Sequence, residues 1–264
     1  EKALIQLREK IWKKRFESIF QKIDFWDFDV YQLDGGLGFY RDGRIIRQLK
    51  EKGKKIICCY TGSDLRTRGV IPEIDKVSDV NMTVEFDHLR FHPDIHHVPF
   101  PLELSQFPPS SKTEGEKIRI GHAPTHREAK GSHMIIPIVK KLEKAYPVQL
   151  ILIEGLPYTQ ALSEKSTCHI FIDQIGNLGY GINGIEALAM TIPTCSSLAP
   201  GFEEAYPAHP FFKIDEKNLE KILILLIQDP KLRKEKGKAG SKWVKEIHDP
   251  ISVVRKIHQF ADLS

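Results

Sequence analysis

The sequence predicts an α/β protein of two lobes, each a parallel sheet flanked by helices. Three observations carry this. Apolar runs of strand length alternate with amphipathic helical stretches in both halves of the chain, and that alternation pairs strands in parallel. A stretch over 104–117, rich in Pro, Ser and charge, interrupts the pattern and reads as a linker. The length, 264 residues, suits one large domain or two modest ones. With 41% apolar residues the chain can bury a sizeable core without disulfides or metals. A net charge of +4 fits anionic ligands but is too weak to argue for nucleic acid.

Taken in order, residues 1–23 place Leu4, Leu7, Ile11, Phe16, Ile19, Phe20 and Ile23 at helical spacing, with Lys10, Lys13, Lys14 and Arg15 on the other face. The strand FDVYQLD, the loop GGLG, a helix over 43–52, the strand KKIICCYTG, the loop SDLRTRG and the strand VNMTVEF follow. These make an N-terminal lobe over 1–103. A second lobe, 118–249, starts with the strand KIRIGHAP. The helix SHMIIPIVKKLEKAY, the strand VQLILIEG, the short helix PYTQALSEKS and the strand CHIFIDQ come next. A glycine loop, a helix from 184 and the strand PTCSSL complete it, and only helices are expected after 215. Residues 250–264 form a last helix, starting at Pro250 and expected to pack back on the first lobe.

Ligands of open parallel sheets sit beyond the carboxyl ends of the strands, so with two lobes the natural site is the cleft between them. In LGYGINGIEALAM (178–190), glycines allow close backbone approach and the helix start offers free N–H groups to an anion. Phosphate is the obvious guest. Glu186, one turn in, suits the paired hydroxyls of a ribose, so a nucleotide satisfies both features. A tight turn with a carboxylate near the positive end of the helix dipole accounts for the same residues. The loop GHAPTHREAKG (121–131) lies at the same sheet edge and carries Arg127 and Lys130, a diphosphate clamp when set against a helix start.

Other residues point less far. Gly35 and Gly36, after Asp34, either face the cleft or make a plain strand-to-helix turn. Asp64 reads as a turn cap, whereas Arg66 is left open as a contact for an anionic acceptor. His88, His92, His96 and His97 cluster, but Pro93 breaks the helical spacing a metal pair needs, so a solvated loop is expected and no metal. Cys58, Cys59, Cys168 and Cys195 form no CxxC pair and read as reduced thiols, hence a cytoplasmic chain. Two basic stretches, the first helix and 229–246, are solvated faces or peripheral contacts with an anionic membrane.

Residues 118–198 resemble the donor domain of GT-B type nucleotide-sugar glycosyltransferases of the large family 4 group (glycosyltransferases group 1), which includes many bacterial sugar transferases. The resemblance rests on HAPTHREAKGSHMIIPIVKKL, on LILIEGLP with HIFIDQ, and above all on GYGINGIEALAMTIPTCSS. It implies two Rossmann-like lobes and transfer of a hexose-like sugar from a nucleotide-diphosphate-sugar donor to a carbohydrate or lipid-linked acceptor. It also implies retention of configuration, with no metal or other cofactor. Gly179, Tyr180, Gly181 and Ile182 would then cradle the diphosphate, together with Gly121 and Thr125. Arg127 and Lys130 would neutralise the leaving group, and Glu186 would hold the ribose. The chain departs from the family in four places. Leu178 stands where relatives carry a first glutamate beside the sugar. The connection between LILIEG and HIFID lacks a strand and helix. Thr61 matches an acceptor-side histidine. The first lobe begins with a helix, so its first strands are either missing or reduced away. Two rival readings stay open: a degenerate nucleotide- or sugar-binding protein without catalysis, which Leu178 and the short first lobe favour, and another two-lobed α/β enzyme, such as a nucleotide-sugar epimerase acting on the donor alone.

Overall fold

The computed structural model describes residues 2–40, 42–112, 117–176 and 178–263. The chain divides into two compact units, Glu1–Val98 with Lys256–Ser264, and Pro99–Arg255.

The first unit contains α1 (Lys2–Lys22), β1 (Val30–Asp34), α2 (Arg44–Glu51), β2 (Lys55–Tyr60), α3 (Pro72–Asp75), β3 (Val80–Thr83) and β4 (Ile95–His97). The four strands run in the order β1-β2-β3-β4, all parallel, with Asp34 opposite Cys59 and Tyr60 opposite Thr83. The core joins Ile46 and Leu49 of α2 to Leu33, Ile56, Cys58 and Tyr60 of the sheet. The first helix docks through the far end of its apolar set. Phe20 stacks on Phe25 with ring centres 3.9 Å apart, and Phe16 meets Phe39 edge-on. Leu4, Leu7 and Ile11 stay exposed, so the apolar series seen in the sequence is not one buried stripe.

The second unit contains β5 (Ile118–His122), α4 (Ser132–Leu142), β6 (Val148–Leu152), α5 (Tyr158–Ser166), β7 (Ile170–Ile172), α6 (Ile182–Ala189), β8 (Thr194–Ser196), α7 (Phe202–Ala205), β9 (Phe212–Lys213), α8 (Leu219–Gln228), α9 (Pro230–Ile247) and the start of α10 (Pro250–Phe260). Its sheet is parallel in the order β6-β5-β7-β8-β9. The chain leaves β5 to one side and returns on the other, so the order reverses between β5 and β7. Such a switch point opens a crevice at the carboxyl ends of those strands. Helix α9 starts at Pro230, with Asp229 accepting the Leu232 amide at 2.8 Å. It approaches α6 closely: a Cβ at Gly237 would stand 2.1 Å from the Thr191 carbonyl, and one at Gly240 2.6 Å from Leu188. Close packing of this kind fixes α6, which bears Glu186.

Several expectations change. The stretch 104–112 belongs to the second unit: Ser111 bonds Ser166, and the half-buried Lys112 ammonium donates to Thr191 O at 3.1 Å, with desolvation lowering its pKa to about 8. Residues 113–116 of the expected linker lie outside the described residues. The histidine stretch is not a solvated loop. His88 is fully buried against Thr83 Oγ1 at 2.7 Å, His92 is buried against Asp75 Oδ1 at 3.1 Å, and His96 and His97 form β4. The short strand β9 carries too few residues to show a period of two. All four cysteines are free and buried, and burial pushes their thiol pKa values up, to about 11 for Cys58 and Cys168. Among the described residues no helix is long and apolar enough to cross a membrane.

Candidate functional site

The crevice between β5 and β7 is where the two loops singled out in the sequence meet. Strand β7 ends in an apolar run, and Asp173 and Gln174 follow it, each 1% exposed. The Asp173 amide extends the ladder by donating to Cys195 O at 2.9 Å. Its carboxylate then turns to the glycine loop. Oδ2 accepts the Gly181 amide at 2.6 Å and the Ser196 hydroxyl at 3.3 Å. Oδ1 faces Lys130 Nζ at 3.4 Å. Lys130 also bonds the Gln174 side-chain oxygen, and the Gln174 amide donates to Gly179 O. The absent side chain at Gly181 leaves room for the Lys130 ammonium, which lies 2.6 Å from where a Cβ would stand.

The loop is anchored from below by Tyr180. Its ring stacks on Phe211 and meets Phe202 edge-on, each at 5.1 Å between centres, so the side chain serves the core and only its backbone reaches the crevice. Ile182 begins α6 and is half-exposed. The Leu178 carbonyl accepts from Ser197 Oγ at 3.5 Å. The sequence suggested an open anion site. The structure instead gives the Gly181 amide an internal anion, Asp173, whose charge Lys130 partly balances. An incoming phosphate would therefore compete with a carboxylate for both the amide and the cation.

Opposite, the loop after β5 carries Thr125 and Arg127, both exposed. Arg127 is held by Glu154 in a two-point ion pair, 2.8 Å from Nε and 2.6 Å from Nη2, which raises the guanidinium pKa and lowers that of the carboxyl. An exposed pair of this kind opens at little cost. Gly121 does not belong to the loop. It lies inside β5, where a Cβ would stand 2.7 Å from Cys168 Sγ, so its absent side chain serves packing rather than a ligand. The next residue, His122, is fully buried, with Nδ1 on Ile172 O and Nε2 on Ser132 Oγ, both at 2.9 Å. It ties the two strands of the switch point together, and burial lowers its pKa.

Glu186 differs most from expectation. It is 3% exposed and both carboxylate oxygens have partners: Oε2 the Lys165 ammonium, Oε1 the Tyr158 hydroxyl at 2.9 Å. Lys165 is 1% exposed and also donates to Asn183 Oδ1 at 2.7 Å, while the Asn183 amide donates to Ala123 O at 3.0 Å. Burial lowers the Lys165 pKa against the pull of Glu186. Burial and the neighbouring carboxylate raise that of Tyr158 to about 12. The ribose ligand expected from the sequence is thus the centre of an internal network.

In the first unit the site residues turn inward. Arg66 donates from Nε to Asp87 Oδ2 at 2.8 Å and from Nη2 to Glu85 Oε2 at 2.7 Å. Burial opposes the charge, but the two carboxylates outweigh it and push the guanidinium pKa up, so Arg66 is not free for an acceptor. Thr61 is exposed, and its amide donates to Asp64 Oδ2 at 2.9 Å. Asp64 caps the turn, also accepting from Gly62 and Leu65 at 2.8 Å each. Gly35 and Gly36 both adopt positive φ, with the Gly35 carbonyl bonded to Arg68 and a Gly36 Cβ excluded by the Tyr60 ring, whose carbons would lie 2.8 Å away. Those contacts define a strand-to-helix turn.

Sequence reasoning passed over Asp173, Gln174, Lys165, Tyr158 and Asn183. The one available signal was Asp173, a charge directly after the apolar run HIFI at a strand's carboxyl end.

No protein-family model matches the chain, and no curated protein matches it in sequence. Solved structures do. Sucrose-phosphate synthase from Thermosynechococcus elongatus aligns with a TM-score of 0.67 at 13% identity, over 92% of this chain and 75% of that one. A glycosyltransferase from Rickettsia africae aligns at 0.61 and 13% identity, over 98% and 80%. Anabaena HepE, in complex with UDP and glucose, aligns at 0.61 and 10% identity, over 92% and 80%. The fold is that of GT-B glycosyltransferases.

Proposed function

We propose that this protein is a glycosyltransferase that takes a sugar from a nucleotide-diphosphate donor and passes it to a carbohydrate or lipid-linked acceptor. The observation that carries the reading is Lys130, set against the glycine loop at the switch point of a GT-B fold. Breaking the bond from sugar C1 to the phosphate oxygen leaves charge on the diphosphate, and a fixed cation at that place stabilises it. Lys130 exchanges Asp173 and Gln174 for phosphate oxygens, Arg127 swings from Glu154 to join it, and the Gly179–Ile182 backbone lies alongside with Thr125. With two side-chain cations available, the chemistry needs no metal. Departure and attack on one face of the sugar, with retention, belong to the same reading. UDP is the first probe, because HepE is described with UDP and with UDP-glucose.

Calorimetric titration with UDP tests the binding step. Lys130→Ala should weaken UDP at least tenfold, about the worth of one charge-assisted contact. Release of UDP from UDP-glucose or another UDP-sugar tests turnover. UDP affinity equal in Lys130→Ala and the parent chain would sink the assignment. Leu178, and the engagement of Glu186 by Lys165, favour a second reading in which the chain binds a nucleotide-sugar without transfer. Tight UDP binding with no UDP released from any UDP-sugar would select it.

A further inference from the structure

We infer that the exposed ring of Tyr158 is the platform on which the base of the nucleoside diphosphate stacks, with Glu186 and Lys165 as its positioning residues. This rests on the donor-site reading above. Tyr158 is the first residue of α5, in the short connection that leaves the carboxyl end of β6, at the same sheet edge as the β5–β7 crevice. Its hydroxyl donates to Glu186, one turn into the helix that the glycine loop opens. A base one ribose away from a diphosphate at that loop falls in this region.

The ring is also fixed in a way an ordinary surface tyrosine is not. Its face is open, 58% exposed as a residue, yet its hydroxyl is held by a carboxylate that is itself buried and bound to a buried ammonium. Lys165 is in turn held by Asn183 of α6. A long-chain cation and a carboxylate are thus buried at some cost, and the outcome is one aromatic plane held in one orientation. Pre-ordering of that kind lowers the entropy that a ligand loses on binding.

Apolar side chains are also exposed on the elements that carry this network. Among the described residues of the second unit, six large hydrophobics are conspicuously exposed, and three of them are Leu156 at 42%, Tyr158 and Ile182 at 44%. Leu156 and Tyr158 share one connection, and Ile182 heads α6. Every nucleobase has an apolar π-face, and an exposed aromatic ring matches it without reading the base edge. Glu186 on this account orients the platform, which explains why it has no open carboxylate oxygen to offer a ribose.

The test is titration of the full chain with pyrophosphate, UDP and ADP. UDP and ADP should both bind the parent chain more tightly than pyrophosphate. Tyr158→Ala should lower the affinity for UDP and ADP by about tenfold to a hundredfold, the range measured for losing one stacked base, and leave pyrophosphate within about twofold. Tyr158→Phe keeps the ring but frees it from Glu186, and its UDP affinity should fall between those of the parent chain and Tyr158→Ala. Lys130→Ala should weaken all three ligands. If Tyr158→Ala binds UDP like the parent while Lys130→Ala does not, the donor site stands and the platform falls. If Tyr158→Ala loses pyrophosphate as fully as UDP, its effect is on the structure and the platform also falls. If the parent chain binds none of the three, the donor reading fails and takes this inference with it.

Discussion

Beyond β2 in the first unit, Arg66 closes on Asp87 and Glu85; beyond β7 in the second, Lys130 closes on Asp173 and Gln174. Both are cations at the carboxyl edge of a parallel sheet, and both read from the sequence as groups for an anionic ligand. Their partners separate them. Arg66 spends its planar fork on two carboxylates at 2.5 to 2.8 Å, and an incoming anion would meet two negative charges before reaching it. Lys130 has one carboxylate at 3.4 Å and a neutral amide oxygen, and its flexible stem lets the ammonium turn to a stronger anion. A ligand-binding cation differs from a structural one less in position than in how completely the fold has already satisfied it.

The comparison can be broken by removing cations one at a time. The largest effect is expected at Lys165→Met, which leaves Glu186 charged and buried. Urea unfolding should show a loss of about 3–5 kcal/mol, and adding Glu186→Gln should return most of it. Next is acid. Burial lowers the His248 pKa from 6.5 to about 4, with Nδ1 on Phe100 O. A histidine with a depressed folded pKa is protonated first in the unfolded chain. The second unit should therefore lose up to about 3 kcal/mol as the pH falls from about 6.5 to about 4, and little more below that. His122 is pushed the same way, so His248→Gln should flatten this slope only in part. Arg66→Met should cost roughly 2–3 kcal/mol, less than the Lys165 change because water reaches Arg66 and Glu85, and should leave UDP affinity unchanged. The smallest stability effect belongs to Arg127→Ala. It should leave the urea midpoint close to that of the parent chain, while titration shows weaker UDP binding. Equal losses of UDP affinity in Arg66→Met and Arg127→Ala would erase the distinction between the two units.

Much of this was legible in the residues. Strands and helices followed from period and punctuation; the loop at 121–131 stood out by glycine, threonine and cations directly after an apolar run, and the stretch 178–190 by glycines that run into a helical pattern. Asp64 was legible as a cap because its neighbours in sequence are its partners. The buried histidines were not. His92 is paired with Asp75 of α3, 17 residues earlier, and a His-rich stretch looks solvated until that partner is in place.

By itself the sequence determined the local geometry: α/β alternation in two halves, a glycine loop opening α6, and cations in the loop directly after β5. Those depend on contacts within a few residues, which composition and spacing record. Only the tertiary structure decided how charge is spent. Glu186 meets Lys165 across 21 residues and Lys130 meets Asp173 across 43. Side chains so far apart in sequence are brought together by the strand order β6-β5-β7, so whether a carboxylate is open to a ribose or closed on an ammonium is settled by sheet topology.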